Sequence, residues 1–188
     1  MVARISITLN ARVTPARRQQ IFEDDLEAAL RHGFPGVSAT GGGTLASPEG
    51  EPLWCDVEFE AGDDAPAVMG LAMAMLEDTH APKGSWARLD DGEPVPFGRA
   101  EGLAIYLNGV DLPRWVYWAN PNKLVAALID ALGAEGELLS TWHGPRETAL
   151  YLYGPSAARM RELTAGPLSR FRLARRCRVV DLPAELPA

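Results

Sequence analysis

The chain is short of the residues that build metal and redox centres. It has two cysteines, Cys55 and Cys177, lying 122 positions apart, and three histidines, His32, His80 and His143. Two distant cysteines make no disulfide framework and no thiolate cluster, so a disulfide-stapled domain and an iron–sulfur site are excluded. The histidines have neither zinc-ligand spacing nor the His-x-x-x-His pattern. No cofactor and no metal is expected. No apolar run approaches the length of a membrane helix. No signal-peptide pattern precedes the strand-like Met1–Ile5, so a cytoplasmic location is the expectation. The glycine run Gly41-Gly42-Gly43 lacks the Lys-Ser or Lys-Thr that opens the helix of a phosphate-binding loop. It reads as a bulge, a bent strand or a loop, with a close backbone approach to a ligand as the alternative.

Positive charge is scarce in the first half. Residues 1–98 hold 7 basic and 16 acidic side chains, a net of −9, whereas residues 99–188 hold 11 and 9, a net of +2. The whole chain carries −7, which argues against a general nucleic-acid binder. Arg170, Arg172, Arg175, Arg176 and Arg178 concentrate the basic charge near the C-terminal end, as a solvated edge or a place for an anion or acidic partner.

Hydrophobic residues make up 47% of the chain, ordinary for a folded protein. Their periodicity gives the elements. Ile5, Ile7 and Leu9 alternate with polar residues as a strand. Thr14-Pro15 opens a helix with Phe22, Leu26 and Ala29 or Leu30 on one stripe, ending near Gly33. Trp54 to Phe59 alternates again, with Cys55, Val57 and Phe59 on one face and Trp54, Asp56, Glu58 and Glu60 on the other. A helix over Val68–Leu76 and a strand over Ser85–Leu89 complete the first half. The second half repeats the plan. Leu103, Ile105 and Leu107 form a strand, Asn120-Pro121 caps a helix carrying Leu124 and Leu128, and Leu138–Trp142 and Arg146–Tyr153 form a hairpin. A helix then runs from Ala157 until Gly166-Pro167 stops it, and Cys177–Val180 is the last strand.

Each half thus reads strand, helix, strand, strand, helix, strand. This order resembles the ferredoxin-like, split β-α-β fold. The fold class expected is α+β: a tandem ferredoxin-like duplication, antiparallel sheets with helices on one face, forming a pseudo-dimer. The boundaries expected are 1–93 for the first unit, 94–100 for a Pro-rich linker, 101–184 for the second unit and 185–188 for a tail. Duplication removes one reason to dimerise, so a monomer is expected.

A fold of this kind fixes no function, so function rests on the residues. Trp115 and Trp118 lie with Arg114 in a loop-like stretch, and Trp142 and His143 lie at a polar hairpin. Aromatic and arginine residues near loops anchor protein partners. Capping the second core explains the same rings. The reading is a non-catalytic protein that binds another protein, as inhibitor, immunity-type factor or adaptor. Its contacts are Arg114, Trp115, Trp118, Trp142, His143 and the acidic Asp56 and Glu58. One alternative is a small-molecule sensor or carrier binding in the cleft between the repeats. Another is an enzyme using His143 as a base with Glu147 beside it. No nucleic acid and no membrane partner is expected.

Overall fold

The computed structural model describes residues 2–186, so the last two residues of the expected tail lie outside the described residues. The chain divides into two compact units. One comprises Met1–Ser47, Pro52–Arg99 and Ala184–Ala188, the other Pro48–Glu51 and Ala100–Pro183.

The first unit runs β1 (Ala3–Leu9), α1 (Pro15–Arg18), a π-helical stretch (Gln19–Asp24), α2 (Asp25–Arg31), β2 (Ser38–Ala46), β3 (Pro52–Ala61), α3 (Ala65–Asp78), β4 (Ser85–Leu89) and β5 (Val95–Phe97). Its sheet has the order β2-β3-β1-β4-β5, antiparallel at every pairing. Ile5, Ile7, Leu9, Val57 and Phe59 are fully buried, as are Leu26, Leu30, Val68, Ala72 and Leu76 from the helices, within a few per cent. Helical residues spaced by four share one face, which is why these stripes meet the alternating face of the sheet. Of the stretch expected as a linker, 94–100, the residues up to Arg99 are part of this unit and Ala100 belongs to the second. Val95–Phe97 pairs with β4, with Pro96 opposite Trp86. Proline cannot donate to a ladder, and an edge strand is where it fits.

The second unit runs β6 (Glu101–Asn108), a 3-10 turn (Arg114–Trp118), α4 (Pro121–Leu132), β7 (Glu137–His143), β8 (Glu147–Gly154), α5 (Ala157–Arg170), a second 3-10 turn (Arg172–Ala174) and β9 (Arg178–Asp181). Its sheet order is β7-β8-β6-β9, again antiparallel. Leu103, Ile105, Leu150 and Leu152 pack with Leu124, Leu128, Leu132, Ala157 and Met160 in one core. Asn120 caps α4 by accepting from the Asn122 amide at 2.9 Å. The helix α5 does not stop at Gly166-Pro167. Ala157, Met160, Thr164 and Pro167 are all buried along one stripe, so Pro167 is a core residue. That burial offsets the hydrogen bond which proline removes from a helix interior.

Both sheets are therefore antiparallel with helices on one face, consistent with a duplicated ferredoxin-like βαββαβ fold, to which the first unit adds the edge strand β5.

Candidate functional site

In the first unit the sheet face away from the helices is polar. The register sets it in rows across three strands. Glu58 on β3, Ser6 on β1 and Arg88 on β4 form one row, and Asp56, Thr8 and Trp86 form the next. Glu60 faces Arg4 beyond them. Asp90 is fixed beside Arg4: its amide donates to the Arg4 carbonyl at 2.7 Å, and its Oδ1 accepts from the Arg4 amide at 2.8 Å.

These side chains surround a groove of about 320 Å³ lined by Val2, Arg4, Ser6, Glu58, Glu60, Arg88 and their neighbours Ala3, Asp90 and Asp91. Charges of both signs line it, yet among the described residues no ion pair joins Arg4 or Arg88 to any of the four carboxylates. For Glu58 and Arg88 the reason is spacing. Glu58 and Arg88 stand on strands separated by β1, about 9–10 Å apart, and the side chain between them is only Ser6. Arg88 lies over the Trp86 ring at 5.6 Å. Its Nε is shielded from solvent and finds no acceptor among the described residues. Farther along the face, burial pushes the Asp56 carboxyl above its usual range, against the opposing pull of Arg18.

The glycine run has a different occupant. It forms the middle of β2, with a bulge between Ala39 and Gly41. A Cβ at Gly42 would overlap the Arg18 guanidinium and the Asp56 carbonyl. Arg18 Nη1 donates to that carbonyl at 3.3 Å and pairs with Glu23 at 3.0 Å. Arg18 and Glu23 are five positions apart, a spacing that the wider turn of the π stretch brings together. The space left by the glycine thus holds the chain's own arginine.

In the second unit the stretch around Trp115 meets the arginine run. Val116 is buried and anchors the 3-10 turn, leaving Trp115 47% and Trp118 84% exposed. Arg172 lies over the Trp115 ring at 4.9 Å, and Arg176 donates to the Asp111 carbonyl at 3.2 Å. Asn108 shapes the loop by accepting from the Val110 and Asp111 amides. Arg114, Trp115 and Trp118 are therefore on one exposed turn, now with Arg172, a neighbour that sequence reasoning had placed in a separate basic run.

The other residues singled out do not join them. Trp142 pairs with Ala149 on the sheet face away from the helices, its ring against Gly144. His143 Nδ1 lies 3.2 Å from Thr148 Oγ1, while the Glu147 carboxylate pairs with Arg178 at 2.6 Å. Asp56 and Glu58 share the polar face of the first sheet. Sequence reasoning missed Arg4, Ser6 and Arg88 as their neighbours. The alternation of β1 and β4 was visible, but the register that sets the rows was not.

Among the described residues, no three His, Cys, Asp or Glu side chains are grouped to hold a metal ion. No protein-family model and no curated protein matches the chain. Several solved structures are similar. One is an unknown protein from Galdieria sulphuraria, 10% identical over 96% of both chains, with a TM-score of 0.30. Another is the ligand-free regulatory subunit of aspartate kinase from Thermus thermophilus, 10% identical over 91% of this chain and 95% of that one, with a TM-score of 0.27. A third is a chlorite dismutase variant from Candidatus Nitrospira defluvii, 8% identical over 97% and 92%, with a TM-score of 0.29. At these identities and scores the likenesses transfer no activity to this chain.

Proposed function

We propose that the protein is a small-molecule sensor or carrier that holds its ligand in the polar groove of the first unit. One observation carries this reading. Arg88 and Glu58 face each other across Ser6 with a hollow between them, and neither side chain pairs with the other. Charged groups left apart on a half-buried surface are costly unless water or a ligand satisfies them. A ligand site needs few, well-placed polar groups in a concave wall, and this face supplies them. The test is native mass spectrometry of the purified protein, beside protein carrying Arg88→Met. A small molecule retained by the wild type and lost from the variant supports the reading. An identical spectrum from both removes it.

A second reading has its own observation. Trp118 is largely exposed on the same turn as Trp115, whose ring Arg172 overlies, and exposed tryptophan grouped with arginine suits a protein partner. A partner captured by the wild type and not by Trp118→Ala with Arg172→Glu would favour it. Equal capture by both proteins would remove it.

A further inference from the structure

We infer that the groove of the first unit takes a compact zwitterion with an excess of positive charge: one anionic group and at least two cationic groups, as in an amino acid with a basic side chain. This rests on the sensor or carrier reading above and adds the ligand's chemical class.

The charges lining the hollow argue for it. Glu58, Glu60, Asp90 and Asp91 stand against Arg4 and Arg88, four carboxylates to two guanidinium groups. An anion alone would meet four like charges. A cation alone would leave the positive charge of Arg88 at the hollow without a counter-charge. A molecule with both signs satisfies both walls, because like charges are separated and opposite ones are met. The arrangement also has a direction. Arg88, held over Trp86, stands on the β4 side of Ser6, and Glu58 and Glu60 stand on the β3 side. Within this row the ligand's anion therefore belongs at Arg88 and a cationic end at Glu58. Asp90, which follows β4, stands in the next row beside Arg4, where its Oδ1 is already used by the Arg4 amide and its second oxygen remains for a second cationic group.

Size and metal chemistry narrow the class. A hollow of about 320 Å³ is at the small end of ligand sites and suits a compact molecule. The carboxylates are spread along the groove, and no three acidic, histidine or cysteine side chains among the described residues converge on one point. They suit separate ammonium or guanidinium groups better than one cation.

The test uses the full chain and calorimetric titration at low ionic strength. The probes are L-lysine, L-arginine, cadaverine, agmatine and L-glutamate. L-Lysine or L-arginine is expected to bind. Cadaverine and agmatine, which lack the carboxylate, and L-glutamate, which lacks the second cation, are expected to bind weaker by about tenfold or more. Arg88→Met should erase the preference for L-lysine over cadaverine, and Glu58→Gln with Glu60→Gln should weaken both basic amino acids. These positions lie on the outward face, and melting curves of the unliganded variants check that they fold. Equal binding of cadaverine and L-lysine, or tighter binding of L-glutamate, overturns the ligand class. If that binding still depends on Arg88 and Glu58, the groove remains a ligand site. Binding that ignores all three substitutions overturns the class and the site together. So does silence from every probe combined with no retained small molecule in the mass spectrum.

Discussion

At the scale of single residues, Glu77 shows how one carboxylate fastens a passing segment. Its Oε1 accepts from the Gly98 amide at 3.1 Å and its Oε2 from Arg99 at 2.6 Å. The backbone amide of Gly98 and then Arg99 hold its carboxyl below the usual range. A carboxyl whose pKa is depressed by folding stabilises the fold above its unfolded pKa of about 4.3 and loses that effect as pH falls through the folded value. Glu77→Gln should therefore melt below the wild type at pH 7, and the two curves should converge as acid protonates Glu77. A gap that persists unchanged through the acid range would show that the charge is not what matters. Cys55 makes the complementary case. Burial pushes its thiol well above the ordinary range, and its side chain has no solvent access. An aromatic disulfide reagent at pH 8 should leave Cys55 unmodified in the native protein and modify it once urea unfolds the chain. Modification of Cys55 at native-state rates comparable to a free thiol would contradict this.

At the scale of elements, the three consecutive glycines separate into different roles. Gly41 has open space where a Cβ would sit, whereas Gly42 has Arg18 and the Asp56 carbonyl. Gly42→Ala should cost about 1–3 kcal/mol, the penalty of overpacking against a neighbour that is partly backbone. Gly41→Ala should stay within about 0.5 kcal/mol of the wild type. Urea unfolding of the two variants checks the contrast, and similar midpoints would refute the role given to Arg18. The same stretch shows what the sequence made legible. A bulged or bent strand over Gly41–Gly43 follows from glycine in a strand pattern, but the three glycines pair in regular register with β3 and the bulge falls just before them, between Ala39 and Gly41. The π turn that brings Arg18 to it has no sequence period of its own, because Phe22, Leu26 and Leu30 keep an ordinary apolar stripe through it. Likewise Pro167 reads locally as a stop. Its place on the buried stripe of α5 is a tertiary fact that local propensity does not contain. The acidic face of Asp56 and Glu58 was readable from alternation alone. The arginines beside it were not, since β4 reaches β1 only through a register between residues some 80 positions apart.

At the scale of the whole molecule, the duplicated pattern is visible in the sequence but the division of the chain is not. A repeat suggests a single cut near the Pro-rich stretch, yet the second unit also includes Pro48–Glu51, far from it in sequence. Glu51 shows why. Its Oε1 accepts from the Tyr106 hydroxyl at 2.6 Å and the Tyr151 hydroxyl at 2.9 Å, and both tyrosines are buried. Arg178 lies over the Tyr106 ring at 4.2 Å, and its ion pair with Glu147 raises its own affinity for the proton. The tyrosines thus form a polar cluster under a carboxylate that arrives from outside the repeat. A buried hydroxyl bonded to a charged acceptor contributes about 1.5–3 kcal/mol, and removing the acceptor leaves its desolvation cost behind. Glu51→Ala should lower stability by about that amount for the cluster, with Glu51→Gln, which keeps an acceptor oxygen, losing less. Urea unfolding followed by far-UV circular dichroism checks it. An unchanged midpoint for Glu51→Ala would mean that residues 48–51 merely lie beside the second unit; a clear loss would mean that a fragment starting at Ala100 lacks a part of its own fold.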